Sequence, residues 1–414
     1  MSPFVVLSSR VVTCDPDRST PDNPLGVLED AGVLIEGDRI AAVGGREELR
    51  AVAPDASVVV DARGMVMTPG LVDAHTHLAW AGSRHDEYVL RMQGAGYEAI
   101  AAAGGGIVAT MTAVRQATVA ELAGLLATRL RRMAALGTTT CEIKSGYGLS
   151  LEAERKQLHA ISLVAGGPSL PRVVPTWLAL HAVPPEGRAD RAAWVKAVAE
   201  RWTDEICAEG IARYVDAYID RSAFSVQEAQ PVFDRAARKG LGIRAHIGQF
   251  ADVGGADLAA QMGAATVDHV ENVSEAGLVA LARAGTRAVL LPVASFTLRQ
   301  RPAPVTAMRA AGVRMVVASD ANPGTAPTES LPLALAMALH SYGLTPEECL
   351  LGATREAAAS LGLQDTCGRL APSLSADLVV WDLPHEHAIL QPWASAVTHR
   401  VFVRGRLVHP AGAA

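Results

Sequence analysis

Val66-Met67-Thr68-Pro69-Gly70-Leu71-Val72-Asp73-Ala74-His75-Thr76-His77 is the run that decides how this chain folds. Its apolar start reads as a buried β-strand, and side chains two apart on a strand point to the same face. His75 and His77 therefore share a face at the end of that strand, and two imidazoles so placed are half of a metal site. A His-x-His pair also occurs in ordinary surface loops, so its meaning depends on where the other ligand-type residues fall.

Working downstream, the run at 65–74 is followed by strand-like segments at 138–144, 172–181, 213–219, 242–246, 266–269, 287–292 and 314–319. Most are rich in β-branched residues, as fully buried parallel strands are. Amphipathic helical patterns, such as 119–136, 151–164 and 226–239, lie between them. Eight strands alternating with helices predict an α/β fold, a (β/α)8 barrel of the TIM type, over residues 66–366. The segment from 78 to 137 is long and holds Gly104-Gly105-Gly106, a flexible stretch expected to form a loop over the barrel mouth.

Working outward, both ends of the chain are β-rich. Short strands are expected at 4–7, 32–36, 39–43 and 57–61, and again at 376–381, 397–403 and 405–409. The two ends are predicted to meet in one small β-sandwich domain made of residues 1–65 and 367–414.

With 414 residues, half of them hydrophobic, the chain can bury a large core. A net charge of −6 gives no reason to expect nucleic acid or an anionic membrane as a partner. No apolar run is long enough to span a bilayer, and the N-terminus lacks the pattern of a signal peptide, so a cytoplasmic location is expected. Cys14, Cys141, Cys207, Cys349 and Cys367 are scattered and form no Cys-x-x-Cys, which excludes a disulfide framework or zinc ribbon.

In such a barrel the C-terminal strand ends face the active site. Those ends carry His75 and His77, then Lys144, His181, His246 with Gln249, Asp268-His269, and Asp320. Five of the twelve histidines thus fall at strand ends, too many for packing roles alone. Three neutral imidazoles and a carboxylate with a position left for water make a catalytic divalent site. His75, His77, His246 and Asp320 are assigned as its ligands, leaving His269 and His181 to handle protons or polarise a substrate. Zn2+ and Fe2+ both suit this donor set. A second ion would call for a bridging group such as a modified lysine at the fourth strand's end, but that end reads Asp216-Ala217-Tyr218-Ile219-Asp220, and Lys144 ends the second strand instead. One metal ion per chain is expected.

These marks resemble the amidohydrolase superfamily: Thr68-Pro69-Gly70-Leu71-Val72-Asp73 with His75 and His77, then His246, His269 and Asp320. Narrower marks resemble its imidazolonepropionase family. They are Ala81-Gly82-Ser83-Arg84, the stretch from Gly94 through Tyr97 to Ile107, Glu142-x-Lys144-Ser145-Gly146-Tyr147-Gly148-Leu149, Ala179-Leu180-His181-Ala182-Val183-Pro184 and Asp320-x-Asn322-Pro323-Gly324. The resemblance implies hydrolytic ring opening of 4-imidazolone-5-propanoate to N-formimidoyl-L-glutamate, and a homodimer. It also implies that Arg84 grips the substrate carboxylate and that Tyr147 adds a hydroxyl on an exposed turn. The Asn322, Gly324 and Thr325 turn would offer backbone donors and acceptors, and His181 and Gln249 would contact the ring.

Two departures stand out. Gln249 occupies a position where many relatives carry glutamate, and a neutral amide cannot serve as a base, so the proton falls to Asp320 or His269. Asp220 stands where a longer acid is expected, which could alter the placement of His181. Two other readings remain open on sequence. A cytosine or guanine deaminase would share the ligands but not need Arg84 and Tyr147 for a carboxylate, and a substrate panel separates it. A non-catalytic barrel that binds a ligand or partner would hold no tight metal.

Overall fold

The computed structural model describes residues 2–94, 105–391, 393 and 395–410. Strands β1 (Phe4–Val12), β2 (Val27–Glu36) and β3 (Arg39–Gly45) lead into the long β4 (Ser57–Pro69), and β5 (Leu71–Asp73) follows after a single residue. The strand expected over 65–74 is therefore two strands in two different sheets, divided at Gly70. The physical reason is local. The Gly70 N–H donates to Asp377 O at 2.9 Å, on the terminal sheet, while the next N–H, of Leu71, donates to Gly137 O at 2.9 Å, on the barrel side. A Cβ at residue 70 would collide with the Thr139 side chain, so the close crossing requires glycine. A continuous apolar run carries no mark of such a transfer.

The barrel runs on through β6 (Thr138–Lys144), β7 (Arg172–Leu180), β8 (Tyr214–Ile219), β9 (Gly242–Ile247), β10 (Thr266–His269), β11 (Arg287–Leu290) and β12 (Met315–Val317). Neighbouring strands from β5 to β12 pair in sequence order, and every pair is parallel. A parallel bridge between Thr76 and Ala321 joins the segments beyond β5 and β12. β6 is buried at all seven positions, as a parallel strand covered on both faces should be. The helix Val119–Ala135 shows how the outer layer is specified. Thr118 and Glu121 form a capping box at its start, and Leu122, Leu126, Leu130 and Met133 turn one buried stripe inward.

After the barrel, β13 (Leu378–Trp381), β14 (Thr398–Val403) and β15 (Arg406–His409) return to the first sheet. The chain ends therefore build one seven-stranded mixed sheet in the order β15-β14-β13-β4-β1-β2-β3. β4 pairs in parallel with β1 and antiparallel with β13, which places Pro69 opposite Leu378. Trp381 locks the junction, donating its indole N–H to Thr68 Oγ1 at 2.9 Å.

No helix among the described residues is long and apolar enough to cross a membrane. Ala95 to Gly104, including Tyr97 and the first glycine of the expected mouth loop, lie outside the described residues.

Candidate active site

Closure of the barrel brings its first and last strand ends together. Beside the Thr76–Ala321 bridge, the Asp320 N–H donates to His75 O at 3.2 Å and the His77 N–H donates to Ala321 O at 3.0 Å. The side chains converge accordingly. His75 Nε2 and His77 Nε2 are 3.2 Å apart, and Asp320 Oδ1 lies 3.3 Å and 3.4 Å from them. Ligand atoms of His75, His77 and His246 all lie within 4.8 Å of one another.

The donor set fits a divalent cation on its own chemistry. Asp268 accepts from His75 Nδ1 at 2.8 Å and Asp216 accepts from His246 Nδ1 at 3.0 Å. Both rings are thereby held in the tautomer that turns a bare Nε2 toward the cluster. His246 Nε2 is buried and has no hydrogen-bond partner. Burial, then Lys144, holds His75 well below the usual imidazole range, and burial, then His75, does the same for His77. Both are neutral at pH 7, the form that ligates metal. Burial first, with the nearby carboxylates of Asp268 and Asp73 adding to it, lifts the Asp320 carboxyl well above its usual range. A cation at this point would offset that desolvation.

Beneath this cluster lies a cage of charge that shows no surface to solvent. Lys144 Nζ lies 2.9 Å from Glu142 Oε1, 2.7 Å from Asp216 Oδ2 and 3.5 Å from Asp268 Oδ2, all fully buried. Arg244 approaches Glu142 and Asp268 at 3.8 Å each and donates to Ala74 O at 2.7 Å. Burial by itself raises Asp216, yet His246 and Lys144 outweigh it and hold the carboxyl well below its usual range. Asp216, His246 and Asp268 are themselves spaced to hold a cation, and the Lys144 ammonium already stands between the two carboxylates.

Facing the cluster is a second group of side chains. The Lys144-Ser145-Gly146-Tyr147-Gly148-Leu149 turn is pinned by Glu154, whose carboxylate accepts from the N–H groups of Gly146, Gly148 and Leu149 at 2.8 Å each. Tyr147 is buried, not exposed as its flanking glycines suggest, and its ring packs against the stacked rings of His77 and His181 with centroids 5.9 Å and 5.3 Å away. His181 donates Nδ1–H to Gly146 O at 2.8 Å, and burial holds its imidazole down at about 4. Gln249 Oε1 accepts from Tyr218 OH at 2.7 Å.

Arg84 uses Nε and Nη2 to bind Glu87 Oε2, at 2.9 Å and 2.7 Å. Its Nη1 edge lies against Gly324, where any Cβ would strike the guanidinium, so the turn and the arginine meet because residue 324 is glycine. Asn322 Oδ1 takes the N–H groups of Gly324 and Thr325 at 2.8 Å and 2.7 Å, and the Asn322 N–H donates to Ala326 O at 3.0 Å. The backbone donors expected from this turn are thus used inside it. Asp220 accepts from the N–H groups of Arg221 and Phe250, and His181 is held by Gly146 instead. The shorter acid therefore braces the segment after Gln249 and does not set the position of His181.

With this geometry in view, two family profiles match the chain. That of the amidohydrolase family matches residues 66–408, and that of a bacterial imidazolonepropionase-like composite domain matches residues 31–56. Curated imidazolonepropionases are similar over nearly full length. The protein from Chromobacterium violaceum is 45% identical over 92% of both chains, and that from Shewanella loihica is 40% identical over 98% of both. The chain belongs to the imidazolonepropionases of the amidohydrolase family.

Solved structures share the fold at much lower identity. Atrazine chlorohydrolase from Arthrobacter aurescens, solved with zinc, superposes with a TM-score of 0.65 at 18% identity, covering 98% of this chain and 94% of its own. A zinc-bound adenosine deaminase from Xanthomonas campestris gives 0.66 at 17%, covering 98% and 92%. The structure brings His75, His77, His246 and Asp320 into one cluster, with His269 beside it at a ring separation of 5.6 Å from His246. Sequence reasoning did not find Glu142, Asp216, Arg244 and Glu154 as partners. A signal existed for two of them: Glu142 lies two residues before Lys144 and Arg244 two before His246, so each shares a strand face with a residue already singled out.

Proposed function

We propose that this member of the family hydrolyses the ring C–N bond of 4-imidazolone-5-propanoate to give N-formimidoyl-L-glutamate, using one Zn2+ or Fe2+ per chain held by His75, His77, His246 and Asp320. The observation that carries the reading is that Tyr147, which packs against His77 and His181, also lies close enough to Arg84 and Asp320 to feel the charge of each, so the donor cluster and the arginine share the barrel mouth. Bound there, the metal would supply a water acidic enough to attack near neutral pH and a Lewis acid for the carbonyl oxygen.

The chain's own residues do the rest. Arg84 pairs with the propionate, and Glu87 fixes the angle of its guanidinium. Tyr147 and His181 bound the substrate beside His77. With Nδ1–H committed to Gly146 O, His181 offers a bare Nε2, and at about 4 it stays neutral and polarises without carrying charge. Gln249, its oxygen taken by Tyr218, orients the ring. Carbonyl oxygens of the Asn322, Gly324 and Thr325 turn complete the pocket. Asp320 and His269 move the proton from the attacking water to the leaving ring nitrogen. A single metal is favoured because Lys144 already neutralises Asp216 and Asp268.

The test combines a substrate panel with metal analysis of the same sample. Turnover of 4-imidazolone-5-propanoate, none of cytosine or guanine, and about one divalent ion per chain are expected. Deaminase activity without ring opening overturns the reading, and so does a chain that binds no metal.

A further inference from the structure

The proton transfer placed on His269 leaves one of its ring nitrogens unexplained. His269 Nδ1 is buried without a hydrogen-bond partner, and facing it at 3.9 Å is Glu271 Oε2, also buried and also without one. Two such orphans side by side in a folded interior call for a reason. The other carboxylate oxygen, Oε1, accepts from Ser295 Oγ at 2.6 Å and Tyr342 OH at 3.3 Å, and these two hydroxyls lie 2.6 Å from each other. Ser295 belongs to the helix Pro292–Leu298 after β11, and Tyr342 ends the helical turn Ala338–Tyr342 after β12. Two separate segments thus hold one carboxylate with its second oxygen turned toward the imidazole. The backbone is committed to the arrangement as well. His269 and Val270 both have left-handed φ, 81° and 70°, which a β-branched residue adopts only when its surroundings impose it.

We propose that Glu271 is the positioning residue for His269: it accepts the Nδ1–H, fixes the tautomer, and presents a bare Nε2 to the reacting water and ring. This rests on the proton role given to His269 above. The gap must shorten by about 1 Å for a hydrogen bond, the kind of tightening that accompanies ligand binding in sites that are loose when empty. Burial pushes the Glu271 carboxyl up to about 7 and the His269 imidazole down to about 3. Each suffers from burying its charged form, and pairing relieves both at once. The logic is that of a carboxylate behind a general base, which stabilises the imidazolium formed when the base takes a proton. Gln249 supplies no titratable group to do this.

The experiment uses the metal-loaded, full-length enzyme with 15N-labelled histidines. The His269 ring signals are identified as those missing in His269→Asn, a variant expected to keep its metal and lose about 10²–10⁴-fold in kcat. In the native enzyme Nδ1 is expected to carry the proton and Nε2 to be bare. Glu271→Gln keeps the side-chain volume and an oxygen for Ser295 and Tyr342. It is expected to move the proton to Nε2 and lower kcat by ~10²-fold or more, with KM within about 3-fold and metal content unchanged. A Glu271→Gln enzyme with native kcat and native ring signals overturns the proposal. If that variant does not fold, the native spectrum decides: a proton on Nε2 sinks the idea. Near-native kcat in His269→Asn would instead remove the role given to His269 itself.

Discussion

The terminal sheet and the barrel mouth place their charges in opposite ways. The core of the sheet is hydrocarbon, with Val6, Val11, Val33, Ile35, Ile40 and Phe402 packed together. Most of the charge around it reaches solvent: Glu29, one partner of Arg10, is 80% exposed, and Arg63 and Arg46 reach Asp61 from open positions, while the second partner of Arg10, Glu386, is buried at the sheet's border. The mouth instead buries Glu142, Lys144, Asp216, Arg244 and Asp268 completely. Exposed pairs contribute little to stability, whereas a buried charge that loses its partner is strongly destabilising. One region is held together by apolar area and tolerates change. The other gives up stability to hold imidazoles at fixed angles.

The contrast can be broken most severely at the proposed ligands. His75→Ala or Asp320→Ala is expected to bring metal content well below one per chain and hydrolysis below detection, while the terminal sheet stays folded; metal analysis and circular dichroism check both. Retention of a full equivalent of metal would count against the ligand assignment. Next comes the cage. Lys144→Met leaves Asp216 and Asp268 without their shared ammonium, so a loss of ~3–5 kcal/mol in denaturant unfolding is expected, together with weaker metal binding in a chelator competition. A loss under ~1 kcal/mol would mean that the cage relaxes, and that mouth and sheet do not differ as described.

Arg84→Ala removes a carboxylate contact outside the cage. A decrease in kcat/KM of about one to two orders of magnitude, equivalent to ~1.5–3 kcal/mol, is expected with metal content unchanged. Normal kinetics would move the propionate elsewhere. The smallest change belongs to the sheet: Ile35→Val should cost ~0.5–1.5 kcal/mol and leave kcat at the native value. A change in kcat from that site would show that the sheet communicates with the mouth.

The contrast also explains what the sequence could reveal. Barrel strands are short apolar runs ending in chemistry-bearing residues, so His75, His77, His246, His269 and Asp320 announce themselves by position. The terminal strands announce themselves by alternation, but only in part: β1 reaches Val12 and β2 begins at Val27, because polar residues such as Ser8, Ser9 and Glu29 interrupt the pattern while the backbone goes on pairing. Partners are harder to see than ligands. Asp216 and Glu154 look like surface acids in a linear string, and their roles arise from residues 30 and 8 positions away in His246 and Gly146. The exposure expected for Tyr147 failed for a similar reason. Glycines on either side suggest an open turn, but here they let the backbone fold inward around Glu154.

The threading of β4 sets an order on manufacture. On the ribosome, Pro69 emerges early, yet its antiparallel neighbour Leu378 is translated near the end of the message, and the bridge from Thr76 waits for Ala321. β4 therefore lacks its last neighbour until synthesis is almost complete, and the segment that carries His75 and His77 lacks its own until residue 321 has been made. In the proposed site, a nascent chain stalled before residue 320 would lack one of the four ligands, so the ion would be loaded only after Asp320 has been made.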